Sequence, residues 1–216
     1  MIIKWFGHAC FKITLKNGKS IMIDPFDETV GYGKIDEKAD IVLVSHNHFD
    51  HSYTKGIKGD YTLVDAPGTY REDGVEITGV SLEHDGQQGK QRGHVTAFTI
   101  QAEGIRILHM SDVGAVPGES FFADAGKIDI LMIPVGGVYT IDARAALQIM
   151  EKLSPNITIP MHYMTEVSKI QLKGVHEFTT LAGKEYDISR LGGSSLEITA
   201  DNLKKRQRIF IMDFAN

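Results

Sequence analysis

The segment Ser45-His46-Asn47-His48-Phe49-Asp50-His51 places three of the chain's nine histidines, with a carboxylate, inside six residues. On extended backbone, side chains two positions apart point the same way, so His46 and His48 can grip one metal ion together. A turn after Phe49 would face Asp50 and His51 toward a neighbouring position and begin a second site. Imidazole and carboxylate donors suit zinc and its borderline neighbours. The alternative, a polar loop with merely solvated histidines, gives no reason for such a cluster directly after an apolar run.

That run, Ile41-Val42-Leu43-Val44, is one instance of a recurring pattern. Ser20-Ile21-Met22-Ile23 runs into Asp24-Pro25, and Val75 to Leu82 ends at Glu83-His84. Ile105-Arg106-Ile107-Leu108 leads to Ser111-Asp112, Ile128 to Ile133 leads to Pro134-Val135-Gly136-Gly137, and Ile157-Thr158-Ile159 leads to Met161-His162. Runs this short and β-branched predict buried strands. A helix is predicted from Ala143 to Leu153, capped by Asp142, with Ala146, Ile149, Met150 and Leu153 on one face. A second is read from His176 to about Lys184. Many strands, few helices and no linker imply one α/β domain over residues 1–216, its sheets covered by helices. Ligands in such folds sit at strand ends, and here those ends carry His46, His84, Asp112 and His162.

The chain resembles the metallo-β-lactamase superfamily. The His-x-His-x-Asp-His signature is joined in order by Gly7-His8-Ala9-Cys10-Phe11, Ile23-Asp24-Pro25, His84-Asp85, His109-Met110-Ser111-Asp112, Gly136-Gly137-Val138-Tyr139-Thr140-Ile141-Asp142 and Pro160-Met161-His162-Tyr163. Within it, the pattern is most similar to the small microbial branch related to the ascorbate-6-phosphate lactonase group. The resemblance implies a four-layer αββα sandwich with the site along one edge of its two sheets. It implies that His46, His48 and His84 hold a first metal, that Asp50, His51 and His162 hold a second, and that Asp112 bridges both. Two divalent cations are expected, with zinc favoured by the donor types and manganese, iron or nickel able to occupy the same cage. A bridging hydroxide would be the nucleophile, with Asp50 and Asp112 as its catalytic carboxylates.

Other residues have two readings each. His94 also flanks the Gly-rich stretch Gly86 to Gly93, but His84 is preferred because it follows a strand. Asp24 is either a carboxylate orienting a ligand histidine or an Asp-Pro turn. His8 lies near the metals or is a satisfied core residue. His109 is not a ligand in the family reading, and His176 is a surface or helix position. The loop Asp85 to Gly93 is a mobile flap whose Arg92 or Lys90 meets an anionic substrate, or a solvated connection. Tyr139 and Thr140 suit a pocket wall, where a hydroxyl can donate to a developing oxyanion. Lys204-Lys205-Arg206-Gln207-Arg208 reads as a charged turn before a final strand, Ile209 to Met212.

Composition narrows the classes. Twenty-three Lys plus Arg against 28 Asp plus Glu give a net charge of −5, which speaks against a nucleic-acid partner. Cys10 is the only cysteine, so neither an internal disulfide nor a thiolate-rich metal site can form. No stretch reaches the roughly twenty apolar residues of a membrane span, and no signal peptide is evident. A cytoplasmic protein without membrane partners is expected, with self-association left open. The leading expectation is hydrolysis of an ester-type bond, in a lactone or phosphodiester, of a small anionic metabolite. The competing readings are an RNA-processing nuclease, a mononuclear iron dioxygenase, and a metal-dependent sensor without turnover.

Overall fold

Two large mixed sheets face one another in the computed structural model, which describes residues 1–204 and 207–215. The six-stranded sheet runs in the order Ser195–Glu197, Ile2–Gly7, Cys10–Thr14, Ser20–Ile23, Ile41–Leu43, Thr62–Val64. Its first members pair antiparallel, and the last three are parallel. The eight-stranded sheet runs Asp187–Arg190, Arg208–Ile211, Ile157–Met161, Ile130–Pro134, Ile105–His109, His94–Ala102, Val75–Glu83, Gly68–Glu72. Two of its parallel strands are covered on both faces: every residue of Ile130–Pro134 and Ile157–Met161 is buried.

The period-two alternation of the six-stranded sheet divides its side chains between two cores. Ile3, Trp5, Phe11, Ile13, Ile21, Ile23, Ile41 and Leu43 join the layer shared with the eight-stranded sheet. Phe6, Cys10, Met22 and Val42 face outward into a smaller cluster with Phe26, Val30, Tyr32 and Ile35. Burying both faces sets the register firmly, since a one-residue slip would exchange the two sets.

Helices α1 (Glu119–Ala125), α2 (Ala143–Leu153), α3 (His176–Ala182) and α4 (Ala200–Lys204) complete the described elements. For α2 the expected bounds hold. The Asp142 carboxylate accepts from the N–H groups of Arg144 and Ala145 at 3.1 and 3.0 Å, two donors a helix start leaves unpaired. Ala146, Ile149, Met150 and Leu153 form the buried stripe. α2 packs on α3 and on Ile130–Pro134.

The architecture is the expected α/β sandwich, with one difference in its outer layer. The outward face of the six-stranded sheet is covered by residues 26–39 and Ile57 rather than by a long helix. That cover contains a 3-10 turn, Glu28–Val30, and the small ladder Glu37–Lys38 with Ile57–Lys58. Of the closing basic run, Lys205 and Arg206 lie outside the described residues, and the final strand begins at Arg208. No helix among the described residues is long and apolar enough to cross a membrane.

Asp142→Ala removes the cap of α2 without touching the strand ends. A loss of about 1 kcal/mol in denaturant unfolding is expected, or a fall of roughly 2–4 °C in the thermal midpoint, with metal content unchanged.

Candidate metal centre

Six segments leave their strands at one edge and turn into a common space. Four residues there adopt left-handed backbone although none is glycine: His8 (φ 52°), Asp24 (φ 47°), Ser111 (φ 48°) and His162 (φ 50°). Such conformations cost on the order of 1–3 kcal/mol each and persist where surroundings over-determine them. Those surroundings are visible. The His162 N–H donates to the His8 carbonyl at 3.0 Å, and the Asp24 N–H donates to Leu43 at 2.9 Å. The Trp5 indole also donates to the His8 carbonyl, at 3.1 Å. Gly136 must lack a side chain, because a Cβ would overlap the His162 carbonyl.

His46, His48 and His84 form one donor set. His46 Nε2 lies 2.9 Å from His48 Nδ1, and His84 Nε2 lies 3.3 Å from the same His48 nitrogen. Burial pushes the His46 imidazole down to about 3 and lowers that of His84. Both rings are therefore neutral near pH 7, the state in which a ring nitrogen can bind a cation. The choice between His84 and His94 falls to His84. His94 is exposed at its strand start and lines a different hollow, with Glu83 and Pro117.

Asp50, His51 and His162 form a second set, joined by His8. His8 Nε2 lies 3.0 Å from Asp50 Oδ2, and its ring centroid is 4.0 Å from that of His162, the two planes tilted. His8 is therefore beside the second set, not a detached core residue. Asp112 stands between the sets: its Oδ2 is 3.1 Å from His162 Nε2, 3.2 Å from His51 Nε2 and 3.9 Å from His84 Nε2. Burial would raise the Asp112 carboxyl, yet the imidazoles of His162 and His51 hold it well below the usual carboxylate range. Burial likewise opposes charge on His51, but Asp112 and Asp24 raise its imidazole well above the ordinary value.

These residues fit divalent cations. His51 Nε2 and Asp112 Oδ1 are buried without a directed hydrogen bond, a costly state unless a further charge satisfies them. The two sets, three imidazoles and then imidazoles with a carboxylate, are donor types for zinc-like ions.

Asp24 holds the arrangement from behind. It accepts from the Ser45 N–H at 2.8 Å, the Ser45 hydroxyl at 2.7 Å and the Ser111 hydroxyl at 3.3 Å, and pairs with His51 Nδ1 at 3.1 Å. The orienting-carboxylate reading of Asp24 is the one the geometry supports. Ser45 and Ser111, whose hydroxyls lie 2.6 Å apart, went unread in the sequence, where serine beside a motif carries no distinctive signal. His109 is no ligand: Ser111 N–H donates to its Nδ1 and its Nε2 meets the Ala9 carbonyl at 2.9 Å. His176 is exposed at the start of α3.

The two sets open into a cleft of about 740 Å³. Arg92 and Tyr139 line it, and the Arg92 guanidinium lies 5.3 Å from the Tyr139 ring centroid. Lys169, Ile170 and Gln171 form the facing wall, which sequence reasoning missed because nothing in that segment repeats or matches a motif. Thr140 corrects an expectation. It lines a neighbouring hollow, and its hydroxyl donates to the Ile141 carbonyl at 3.2 Å. Lys90 does not line the cleft either. The loop Asp85 to Gly93 is folded around its own carboxylate, where either a mobile flap or a solvated connection was expected. Asp85 accepts from the N–H groups of Arg92, Gln91, Gln87 and Gly89 at 2.7–2.9 Å. Those donors hold its carboxyl down at about 2.

A family profile described as "Beta-lactamase superfamily domain" matches residues 2–162. A UPF0173 metal-dependent hydrolase of Thermoplasma acidophilum is 30% identical over 189 residues, 76% of this chain and 83% of that protein. One from Pyrococcus furiosus is 31% identical over 192 residues, 76% and 84% of the two chains. This chain belongs to the metallo-β-lactamase superfamily. A solved member from Thermotoga maritima, described as a candidate zinc-dependent hydrolase, superposes with a TM-score of 0.79. It shares 34% identity and covers 98% of both chains. The superfamily match ends at His162, so it spans every residue of the two donor sets and stops before Lys169.

Asp24→Ala should leave His51 Nδ1 and the Ser45 N–H unpartnered in the interior. The expected loss is about 3 kcal/mol or more in chemical unfolding, with metal affinity lowered roughly 10–100-fold in chelator competition.

Proposed function

We propose that this protein is a binuclear metal-dependent hydrolase that cleaves an ester-type bond, in a lactone or a phosphodiester, of a small molecule. One observation carries the reading: the buried Asp112 carboxylate lies between a three-imidazole set and a set of Asp50, His51 and His162. The names of the archaeal relatives, metal-dependent hydrolases, support the same class.

When bound, a pair of divalent cations, with zinc the first choice for these donors, polarises a scissile oxygen and makes water nucleophilic near neutral pH. The chain's residues do the rest. His46, His48 and His84 offer neutral nitrogens from rigid strand ends. Asp112 and Asp50 contribute the negative charge that balances the cations. Asp24 fixes the ring of His51, and His8 steadies the Asp50 carboxylate. Tyr139 brings a phenol to the cleft wall, the donor type that stabilises an oxygen gaining charge. A cleft of about 740 Å³ suits a small molecule.

The test is turnover by metal-loaded protein on paired panels of lactones and phosphodiesters, with Asp112→Asn alongside. Hydrolysis in one panel is expected, reduced on the order of a hundredfold or more in the variant, since even residues outside the ligand shell cost that much. Oxygen consumption with an iron-loaded protein, or cleavage confined to RNA with steep salt dependence, would contradict the proposal in favour of an oxygenase or a nuclease.

A further inference from the structure

The hydrolase reading leaves unexplained two cations on the cleft walls. Arg92 and Lys169 both line the cavity that the donor sets open into, from segments far apart in the chain. Lysines that lie half-buried are matched, whereas Lys169 is exposed. Lys4 and Lys12 converge on Glu37 at 2.8 and 2.7 Å, and Lys19 meets Glu72 and Asp73 at 2.8 and 2.9 Å. Among the described residues, Arg92 and Lys169 make no ion pair. The acids of the cleft, Asp50 and Asp112, are already engaged by imidazoles.

The backbones that carry both cations are hydrogen-bonded in place. The Arg92 N–H donates to Asp85 at 2.8 Å, so the loop closed on that carboxylate fixes where the side chain starts. The guanidinium then lies over Tyr139, a contact that orients its plane and leaves its donors available. Lys169 sits in a segment pinned at three points. Its own N–H donates to Val30 at 2.9 Å, Met164 N–H to Lys173 at 2.9 Å, and Lys173 N–H to Gly136 at 2.8 Å. Gly31 lets that segment approach, since a Cβ there would overlap the Val167 carbonyl. Gln171 adds a neutral amide to the same wall. Side-chain placement of this kind, on ordered backbone, is what a recognition subsite requires.

We infer that Arg92 and Lys169 form an anion subsite, so that the substrate carries a carboxylate or phosphate monoester set apart from the bond that is cleaved. The inference rests on the hydrolase reading for its chemistry but not for its binding. Two cations that line one cleft and make no ion pair attract an anion by charge-assisted hydrogen bonds, and the planar Arg92 fork adds selectivity for a two-oxygen group. The metal-ligand carboxylates do not compete, because their charge is spent on the donor sets.

Two measurements on metal-loaded protein separate this subsite from the reading beneath it. The first compares mono-(4-nitrophenyl) glutarate with 4-nitrophenyl valerate, esters alike except for a terminal carboxylate. Native protein should favour the glutarate in kcat/KM, chiefly through KM, on the order of tenfold or more. In the double variant Arg92→Gln, Lys169→Gln, checked for unchanged metal content, that ratio should fall to about one. The second titrates glutarate by calorimetry, where the double variant should bind roughly tenfold more weakly. A preference for the neutral ester, or a ratio and an affinity unmoved by the double substitution, overturns the subsite. Failure to turn over either ester counts against the ester-hydrolase reading alone, and the titration still decides the subsite.

Discussion

A carboxylate buried among imidazoles is the constraint on which the centre depends. Asp112 is nearly sealed from solvent and stands within 3.9 Å of three histidine nitrogens. Ionised in the interior, it would be expensive unless positive charge surrounded it. The surrounding rings answer only part of that need. His84 and His46 are held neutral by burial, while Asp112 and Asp24, at opposite nitrogens of its ring, favour the charged form of His51. Divalent cations would supply the balancing charge that the rings leave short.

The fold explains the placement. Inner strands buried on both faces fix the register of the sheets, so residues one to three positions past each strand end arrive at a determined point. The left-handed turns at His8, Asp24, Ser111 and His162 redirect the side chains along the edge. Strain at these residues is offset by hydrogen bonds between neighbouring strand ends, such as His162 to His8 and Asp24 to Leu43. Asp24 then couples the two motifs that chain order separates most visibly, Ser45-His46 and Ser111-Asp112.

Much of this was legible in the sequence. The clustered histidines, the strand before them and α2 with its Asp142 cap are local signals, carried by spacing and periodicity. The partners His84, Asp112 and His162 were legible because each follows an apolar run. What escaped has a physical reason in each case. α1 and α4 span seven and five residues, too short for a helical period to show. The cover over the six-stranded sheet is coil whose burial depends on Phe26, Tyr32 and Ile35 meeting Met22 and Val42. Thr140 was expected at the cleft because, with Tyr139, it follows a strand and a Gly pair, yet adjacent residues in a turn face different hollows. Lys169 reaches the cleft only through tertiary pinning by Val30 and Gly136, which no sequence window contains.

The most direct test of the two-set centre is anomalous diffraction from crystals of the metal-replete protein. Two peaks are predicted, one among His46, His48 and His84 and one among Asp50, His51 and His162, both in contact with Asp112. A single peak, or metal bound away from Asp112, would contradict the account.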